Sequence, residues 1–141
     1  MLSLVATPIG NLQDITLRAI ETLKAADYIL CEDTRHSLKL LSHLGIQKPL
    51  YSLHLHNELS KIDQIVEDLI AGKQIALVCD AGTPSICDPS AFLVRKCHEK
   101  NIKVVAACGA SSLTAALSLY GLIKPSFQFL GFMPKETKDL K

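Results

Sequence analysis

The feature that most constrains the fold is the alternation of short apolar runs with longer stretches of helical period along the chain. This alternation is typical of βαβ units, in which helices connect parallel strands and cover the sheet. It predicts an α/β fold with a mainly parallel sheet of five strands, or six if the last apolar run also pairs. The five predicted strands are residues 2–7, 28–31, 50–53, 74–79 and 103–107, and the sixth candidate is 127–132.

Two of the intervening stretches carry apolar residues at helical spacing. This spacing places the residues on one face of a helix, which we expect to pack against the sheet. The first face comprises Ile15, Ala19, Ile20 and Leu23, and the second comprises Ile62, Ile65, Val66, Leu69 and Ile70.

Length and composition exclude several classes of protein. With 141 residues, 48% of them hydrophobic and 21% charged, the chain has the composition of a globular domain and not of a disordered segment. No apolar run reaches the roughly eighteen residues of a membrane span, and the N-terminus lacks the basic segment of an export signal. Residues 1–134 are predicted to form one domain, and residues 135–141, which have no apolar period, a linker.

The cysteines and the net charge add two expectations. Five cysteines without a CxxC pair suit a reducing compartment better than a disulfide framework, so we expect a cytoplasmic protein. Fifteen basic and fourteen acidic residues give a net charge of +1, which offers no electrostatic surface for a polyanion. A nucleic-acid partner would therefore require a local basic patch or a further domain.

Ligands of open α/β sheets bind beyond the carboxyl ends of the strands, so we expect function in the loops that follow them. The first loop contains Pro8, Gly10 and Asn11, which permit a tight turn with accessible N–H groups. Its single glycine matches neither GxGxxG nor GxxxxGK, so an ordinary nicotinamide or P-loop site is disfavoured. A plain strand-to-helix turn remains the alternative.

The second loop concentrates charged side chains after a buried strand. Glu32, Asp33 and Arg35 are costly to place there unless they are paired or solvated. A helix cap and an Asp33–Arg35 pair would explain part of this cluster without any function. A functional site and a structural arrangement both remain open for this loop.

The third loop carries His54 and His56 on one face of an extended segment, followed by Asn57 and Glu58. Two imidazoles alone do not make a zinc site, because a third protein ligand would have to come from elsewhere. No metal is therefore predicted. Contact with a polar substrate and a solvated helix cap both remain open.

The fourth loop, residues 78–89, combines small residues, two prolines and two aspartates in one short segment. Small residues let a ligand approach the backbone, and two prolines stiffen the loop. Asp80 and Asp88 can accept hydrogen bonds from ribose hydroxyls or from an amino group. A structural turn rarely needs so many special residues in succession, so this loop is predicted to bind a ligand.

The fifth loop leads into a helix of small residues and is compatible with two functions. Ser111 could be a hydrolase nucleophile served by Asp80 and by His54 or His98. Against this, Leu113 stands where the GxSxG motif requires glycine. Alternatively, the hydroxyl and N–H groups of Ser111 and Ser112 at the helix start could bind the polar end of a cofactor.

Taken together, these loops resemble the tetrapyrrole methylase superfamily, whose members use S-adenosylmethionine without a glycine-rich Rossmann loop. The resemblance is nearest to the branch that methylates the 2′-hydroxyl of a cytidine in small-subunit (16S) ribosomal RNA. The stretches that carry it are ATPIGNL (6–12), DIT (14–16), EDTR (32–35), His54 with HNE (56–58), DAGTP (80–84), DP (88–89), GASS (109–112) and GFMP (131–134). One departure is Cys108, which stands where the family usually has proline.

The resemblance implies a cofactor and a set of site residues. S-adenosylmethionine is the implied cofactor, bound by Asp80, Ala81, Gly82, Thr83, Pro84, Ile86, Ser111 and Ser112. The residues implied on the substrate side are Pro8, Gly10, Asn11, Asn57 and Glu58. The predicted catalytic residues are Glu32, Asp33, Arg35 and His56. One of the two acids, or His56, would remove the proton of the ribose hydroxyl, and Arg35 would hold an acid or a phosphate.

The resemblance also implies partners. Enzymes of this superfamily have a second α/β domain, bind the cofactor between the two domains and form homodimers. The chain is therefore expected to be an N-terminal half that is inactive alone, with ribosomal RNA as the substrate of the intact enzyme. Two alternatives remain open: methylation of a small tetrapyrrole or corrin precursor, and a non-catalytic dimerisation module.

Overall fold

Strands and helices alternate along the chain, which confirms the predicted α/β class. The computed structural model describes residues 1–53, 58–88, 90–123 and 126–132. Within these ranges the elements are β1 (Leu2–Val5), α1 (Leu17–Ala25), β2 (Tyr28–Cys31), α2 (Thr34–His43), β3 (Leu50–Ser52), α3 (Glu58–Ile70), β4 (Ile75–Leu77), α4 (Ala91–Glu99), β5 (Val104–Ala107) and α5 (Ser112–Tyr120). A short 3-10 turn at Leu12–Asp14 precedes α1.

The five strands form one sheet in the order β3-β2-β4-β1-β5, and every neighbouring pair is parallel. The five predicted strands are thus confirmed, although β1, β3 and β4 end one or two residues earlier than predicted and β4 and β5 begin one residue later. Since all strands point the same way, the loops that follow them open along one edge of the sheet, which we call the carboxyl edge.

The sixth strand of the prediction is wrong, because residues 127–132 form no strand. Gly131 has a φ of +79°, a left-handed conformation that interrupts an extended segment. A Cβ built on Gly131 would lie 3.9 Å from Sγ of Cys87, so this part of the segment lies over the loop after β4. The apolar run is therefore used at the carboxyl edge and not in the sheet.

Two apolar clusters cover the two faces of the sheet. On one face, side chains such as Leu30 and Leu77 pack with the predicted face of α3 and with Leu93 of α4. On the other, Ile29 and Ala76 pack with α1 and α2. The helical faces are confirmed except at two residues. Ile15 packs against the second cluster from the extended segment before α1 and not from the helix. Ile70, at the edge of the α3 stripe and the end of the helix, is 65% exposed. Its inclusion in the packed face is therefore wrong.

Helix α5 differs from the other four helices. It contains no buried residue, and Leu119 and Tyr120 are 90% and 80% exposed. No helix within the described ranges is both long and apolar enough to cross a membrane.

Candidate functional site

The loops after β1 and β4 are bound to each other at the carboxyl edge. The backbone of Thr7 and that of Gly82 exchange two hydrogen bonds, of 2.9 and 3.0 Å. The buried hydroxyl of Thr7 also donates to the carbonyl of Cys79 at 3.1 Å. Gly82 has a φ of +85°, which a residue with a side chain rarely adopts. These contacts fix the start of the fourth loop against the first.

The loop after β5 joins the same assembly. Oγ1 of Thr83 donates to the carbonyl of Ala110 at 3.2 Å. A Cβ on Gly109 would lie only 3.1 Å from Cβ of Ala6, so a glycine is what lets the first and fifth loops approach this closely. Three loops from distant parts of the chain are therefore held together beyond the adjacent strands β4, β1 and β5.

A cleft of about 570 Å³ opens between these loops. Its volume lies within the range of roughly 300–1,000 Å³ that is typical of sites for small molecules and cofactors. The lining residues from the predicted site are Glu32, Asp80, Ala81, Gly82, Thr83, Ile86, Ser111 and Ser112. Of the eight residues implied at the cofactor, only Pro84 is absent from the lining, and its side chain is buried in the loop. The structure thus brings the fourth and fifth loops together.

Sequence reasoning missed part of this lining. The cleft is also lined by Cys79, Cys87, Asp88, Leu113, Ala116, Phe129, Gly131 and Phe132. The sequence identifies Asp88 as a hydrogen-bond acceptor, and Gly131 and Phe132 belong to one of the stretches that carry the resemblance. The GFMP stretch could therefore have identified Gly131 and Phe132 as site residues, but the apolar pattern of residues 127–132 suggested a strand instead.

The second loop places its two acids differently. Glu32 lines the cleft and is exposed, whereas Asp33 is absent from the lining. The Asp33 carboxylate accepts three hydrogen bonds from Arg35: from the backbone N and the guanidinium NH2, both at 2.8 Å, and from Nε at 3.2 Å. The bonds from the Arg35 side chain hold the pKa of Asp33 well below its usual range. Asp33 also caps α2, so the cap and the ion pair that the sequence left open are both present.

The second loop is nevertheless connected to the cleft. The backbone N–H of Asp33 donates to Oδ1 of Asp80 at 3.3 Å. Asp80 is half-buried and lines the cleft. The loop after β2 therefore helps to orient a carboxylate of the fourth loop.

Of the residues predicted on the substrate side, Pro8, Gly10 and Asn11 do not line the cleft. Asn11 caps the 3-10 turn by accepting from the backbone N of Gln13 at 3.0 Å, and neither Asn11 nor Gly10 lines the cleft. Pro8 lines a separate cavity of about 40 Å³ that also reaches Asp80. His56 and Asn57 lie outside the described residues, as does His54, and Glu58 begins α3.

Two buried thiols near the site have packing roles. Burial raises the pKa of both Cys31 and Cys79 to about 11, and the nearby Asp88 carboxylate adds to the shift of Cys79. Both thiols are therefore protonated at neutral pH, which makes them poor nucleophiles and poor metal ligands. The described part of the chain contains no group of three or more His, Cys, Asp or Glu side chains arranged to hold a metal ion.

The hydrolase hypothesis gains nothing from the geometry. His98 is exposed in the last turn of α4, and because α4 begins at the carboxyl edge, its last turn lies toward the opposite edge of the sheet. His98 does not line the cleft. Among the described residues, no histidine is hydrogen-bonded to Ser111.

Comparison with known proteins decides the family. Residues 1–125 match the sequence profile of the Tetrapyrrole (Corrin/Porphyrin) Methylases. The chain belongs to the tetrapyrrole methylase family. Solved structures agree in fold: a diphthine synthase covers 86% of the chain with a TM-score of 0.66, and a uroporphyrin-III-C-methyltransferase from Thermus thermophilus covers 86% with a TM-score of 0.62. Each is 20% identical, and the match spans 49% and 51% of the respective structures.

Curated relatives within the tetrapyrrole methylases are much closer in sequence. A protein of Haemophilus influenzae named ribosomal RNA small subunit methyltransferase I is 52% identical over all 141 residues of the chain. A protein of the same name from Pasteurella multocida is 51% identical over 138 residues, or 98% of the chain. These matches cover 50% and 49% of the two relatives, so the chain spans about half the length of the curated relatives it matches.

Proposed function

We propose that this chain is the cofactor-binding half of an S-adenosylmethionine-dependent methyltransferase acting on the 2′-hydroxyl of a cytidine in small-subunit ribosomal RNA. The observation that carries the proposal is the cleft at the carboxyl edge, built by loops of a tetrapyrrole methylase. Support for the substrate comes from relatives about half identical in sequence whose name specifies the small-subunit ribosomal RNA. A remaining half like that of these relatives would complete the site.

The chemistry of the cleft fits S-adenosylmethionine. This cofactor has a cationic sulfonium and ammonium, a carboxylate, ribose hydroxyls and an adenine. The carboxylates of Asp80 and Glu32 suit cationic or hydroxyl donors, and the N-terminus of α5 with Ser111 and Ser112 suits a carboxylate. The aromatic ring of Phe129 offers apolar surface to a base. When bound, the cofactor supplies an activated methyl group.

The role of the protein in such a transfer is chiefly positioning. The ribose oxygen must approach the methyl carbon in line with the departing sulfur, and holding both partners supplies a large share of the acceleration. The bonds between the first, fourth and fifth loops fix the walls that would orient the cofactor. A general acid–base group then has only to accept the hydroxyl proton.

Glu32 is the better of the two predicted acids for that proton. It lines the cleft, whereas the Asp33 carboxylate is held by Arg35. A carboxylate whose pKa is lowered by an ion pair is a weaker proton acceptor. Arg35 would then orient Asp33 and not the reacting groups, and His56 remains a second candidate for the base.

Calorimetric titration with S-adenosylhomocysteine tests the cofactor. Two samples are compared: the 141-residue chain, and this chain joined after Lys141 to the remaining half of the Haemophilus influenzae relative, called the joined protein below. We expect the joined protein to bind and the chain alone to bind weakly or not at all. If both proteins are folded and neither binds, the methyltransferase proposal fails.

Alkylation of the two exposed cysteines locates the bound molecule. Cys87 lines the cleft, whereas Cys108 is exposed but absent from the lining, so Cys108 is an internal control. In the joined protein, S-adenosylhomocysteine at ten times its Kd should slow the labelling of Cys87 about tenfold, since only the ligand-free protein reacts at this cysteine. Equal rates at both cysteines with and without ligand would place the cofactor elsewhere.

Two isosteric substitutions test the base. In the joined protein, Glu32→Gln should lower kcat for small-subunit RNA about 100-fold, and Asp33→Asn, which keeps a good helix cap, less than about tenfold. Similar losses for the two variants would remove the preference for Glu32. Near-normal turnover for Glu32→Gln at saturating RNA would exclude Glu32 as the base.

The net charge of +1 favours a second candidate, methylation of a small tetrapyrrole, because such a substrate needs no basic surface. Incubation of the joined protein with S-adenosylmethionine that carries a labelled methyl group distinguishes the two candidate substrates. Label that is incorporated into RNA and released by nuclease supports the ribosomal substrate. Label that appears only on an added corrin precursor supports the alternative.

A further inference from the structure

The carboxylate of Asp88 is held inside the fourth loop by hydrogen bonds. Its Oδ2 accepts from the backbone N–H of Ser85 at 2.6 Å. Its Oδ1 accepts from the backbone N–H of Ser90 at 3.0 Å and from the Ser90 hydroxyl. Asp88 therefore connects two residues on either side of it in the chain.

Ser85 adopts a conformation that needs support. Its φ is +68°, in the left-handed region that residues other than glycine rarely occupy. The carboxylate of Asp88 accepts its N–H, and its hydroxyl lies 2.8 Å from the hydroxyl of Ser90. Both contacts favour the strained turn over an ordinary one. The next residue, Ile86, lines the cleft.

Ser90 connects this turn to the core. It is buried and precedes α4, yet its hydroxyl caps no N–H of that helix. The hydroxyl contacts Asp88 and Ser85 instead. Helix α4 is itself fixed by Leu93 and Cys97, which are fully buried. A continuous set of bonds thus leads from a packed helix to the wall of the cleft.

We propose that Asp88 is a positioning residue: it holds Ser85 in the left-handed conformation and so fixes the wall of the cleft around Ile86 for S-adenosylmethionine. The inference rests on the proposed function and gives Asp88 a different task from Asp80. Although Asp88 lines the cleft, its carboxylate already accepts three hydrogen bonds from Ser85 and Ser90, so Asp88 acts chiefly through the loop and not by binding the cofactor's hydroxyl groups.

The test is a rescue experiment in the joined protein. Asp88→Ala should raise the Kd for S-adenosylhomocysteine and the KM for S-adenosylmethionine about tenfold or more, with the KM for RNA unchanged. Adding Ser85→Gly should recover at least about threefold of that loss, because glycine adopts the left-handed conformation without a steric penalty. Asp63→Ala, at an exposed aspartate of α3, is the matched control and should change neither constant.

The outcomes separate this inference from the proposed function. If the unsubstituted joined protein binds no cofactor, the proposed function fails and this inference fails with it. If it binds and Asp88→Ala binds equally well, only the inference fails. A loss that Ser85→Gly does not rescue would mean that Asp88 contacts the cofactor directly, which also overturns the positioning role.

The amide resonance of Ser85 supplies a readout that does not depend on cofactor. In the 141-residue chain, an N–H bonded to a carboxylate should resonate downfield, and Asp88→Ala should abolish that shift. An unchanged Ser85 resonance in Asp88→Ala would show that the bond is absent in solution and would overturn the inference whatever the chain binds.

Discussion

Helices α3 and α5 both carry many apolar residues, but only α3 buries them. Ile62, Ile65, Val66 and Leu69 of α3 are 4–6% exposed, whereas Leu119 of α5 is 90% exposed. Helix α3 packs in the cluster that includes residues of β2 and β4, in the interior of the sheet. Helix α5 follows β5, which lies at the edge. An apolar helix thus becomes part of the core only where the topology provides a surface beneath it.

The largest effect is expected from truncation within the packed face of α3. Ile65→Ala should lower the free energy of unfolding by about 2–4 kcal/mol, because it removes buried methyl groups and leaves a cavity. Ile70→Ala in the same helix is the matched control and should cost well under about 1 kcal/mol. Urea denaturation of the 141-residue chain measures both. Equal losses would contradict the burial difference within α3.

Thiol labelling compares the two regions without any substitution. Cys97 lies in the same buried cluster as the apolar face of α3, and burial raises the pKa of its thiol. Cys108, by contrast, is exposed just before α5. Under native conditions iodoacetamide should label Cys108 about 100-fold faster than Cys97, which reacts only when the core opens. Mass spectrometry of timed samples gives both rates, and comparable rates would mean that the α3 core opens as readily as the α5 region.

A smaller effect tests how α5 is attached. Gly109→Ala should cost about 1–2 kcal/mol of stability, because its Cβ would press against Cβ of Ala6 at 3.1 Å. The compensating change Ala6→Gly should recover part of the loss in the double variant. If Gly109→Ala is neutral, the close contact between the first and fifth loops does not hold α5 in place.

The smallest effect is expected on the exposed face of α5. Leu119→Ala should change the free energy of unfolding of the 141-residue chain by less than about 0.5 kcal/mol. The same denaturation experiment measures it. A loss as large as that of Ile65→Ala would show that α5 is packed in solution.

Most of the sheet could be predicted from the sequence, because a buried parallel strand is a short apolar run. In this chain each such run is separated from the next by a stretch long enough for a helix. The packed faces of α1 and α3 followed from their spacing. The absence of a sixth strand could not be predicted. The left-handed conformation of Gly131 and the position of its segment beside Cys87 depend on where the fourth loop lies.

The candidate site could be predicted at the level of loops but not of roles. The rule that ligands bind at the carboxyl ends of strands located the residues of the fourth and fifth loops. Sequence could not distinguish Glu32 from Asp33, because only the fold shows that Arg35 turns back onto Asp33. Nor could it show that the carboxylate of Asp88 is used within its own loop, since that depends on the positions of Ser85 and Ser90.

The strand order has a consequence for how the protein is made. Strand β1 is synthesised first, yet its two neighbours in the sheet are β4 and β5, which end at Leu77 and Ala107. At roughly 5–20 residues per second, about 5–20 s pass between the synthesis of β1 and that of β5. Until β4 has been synthesised this apolar segment waits without either partner, and it waits longer still for β5. The chain's first strand is therefore the part most dependent on protection from aggregation during translation.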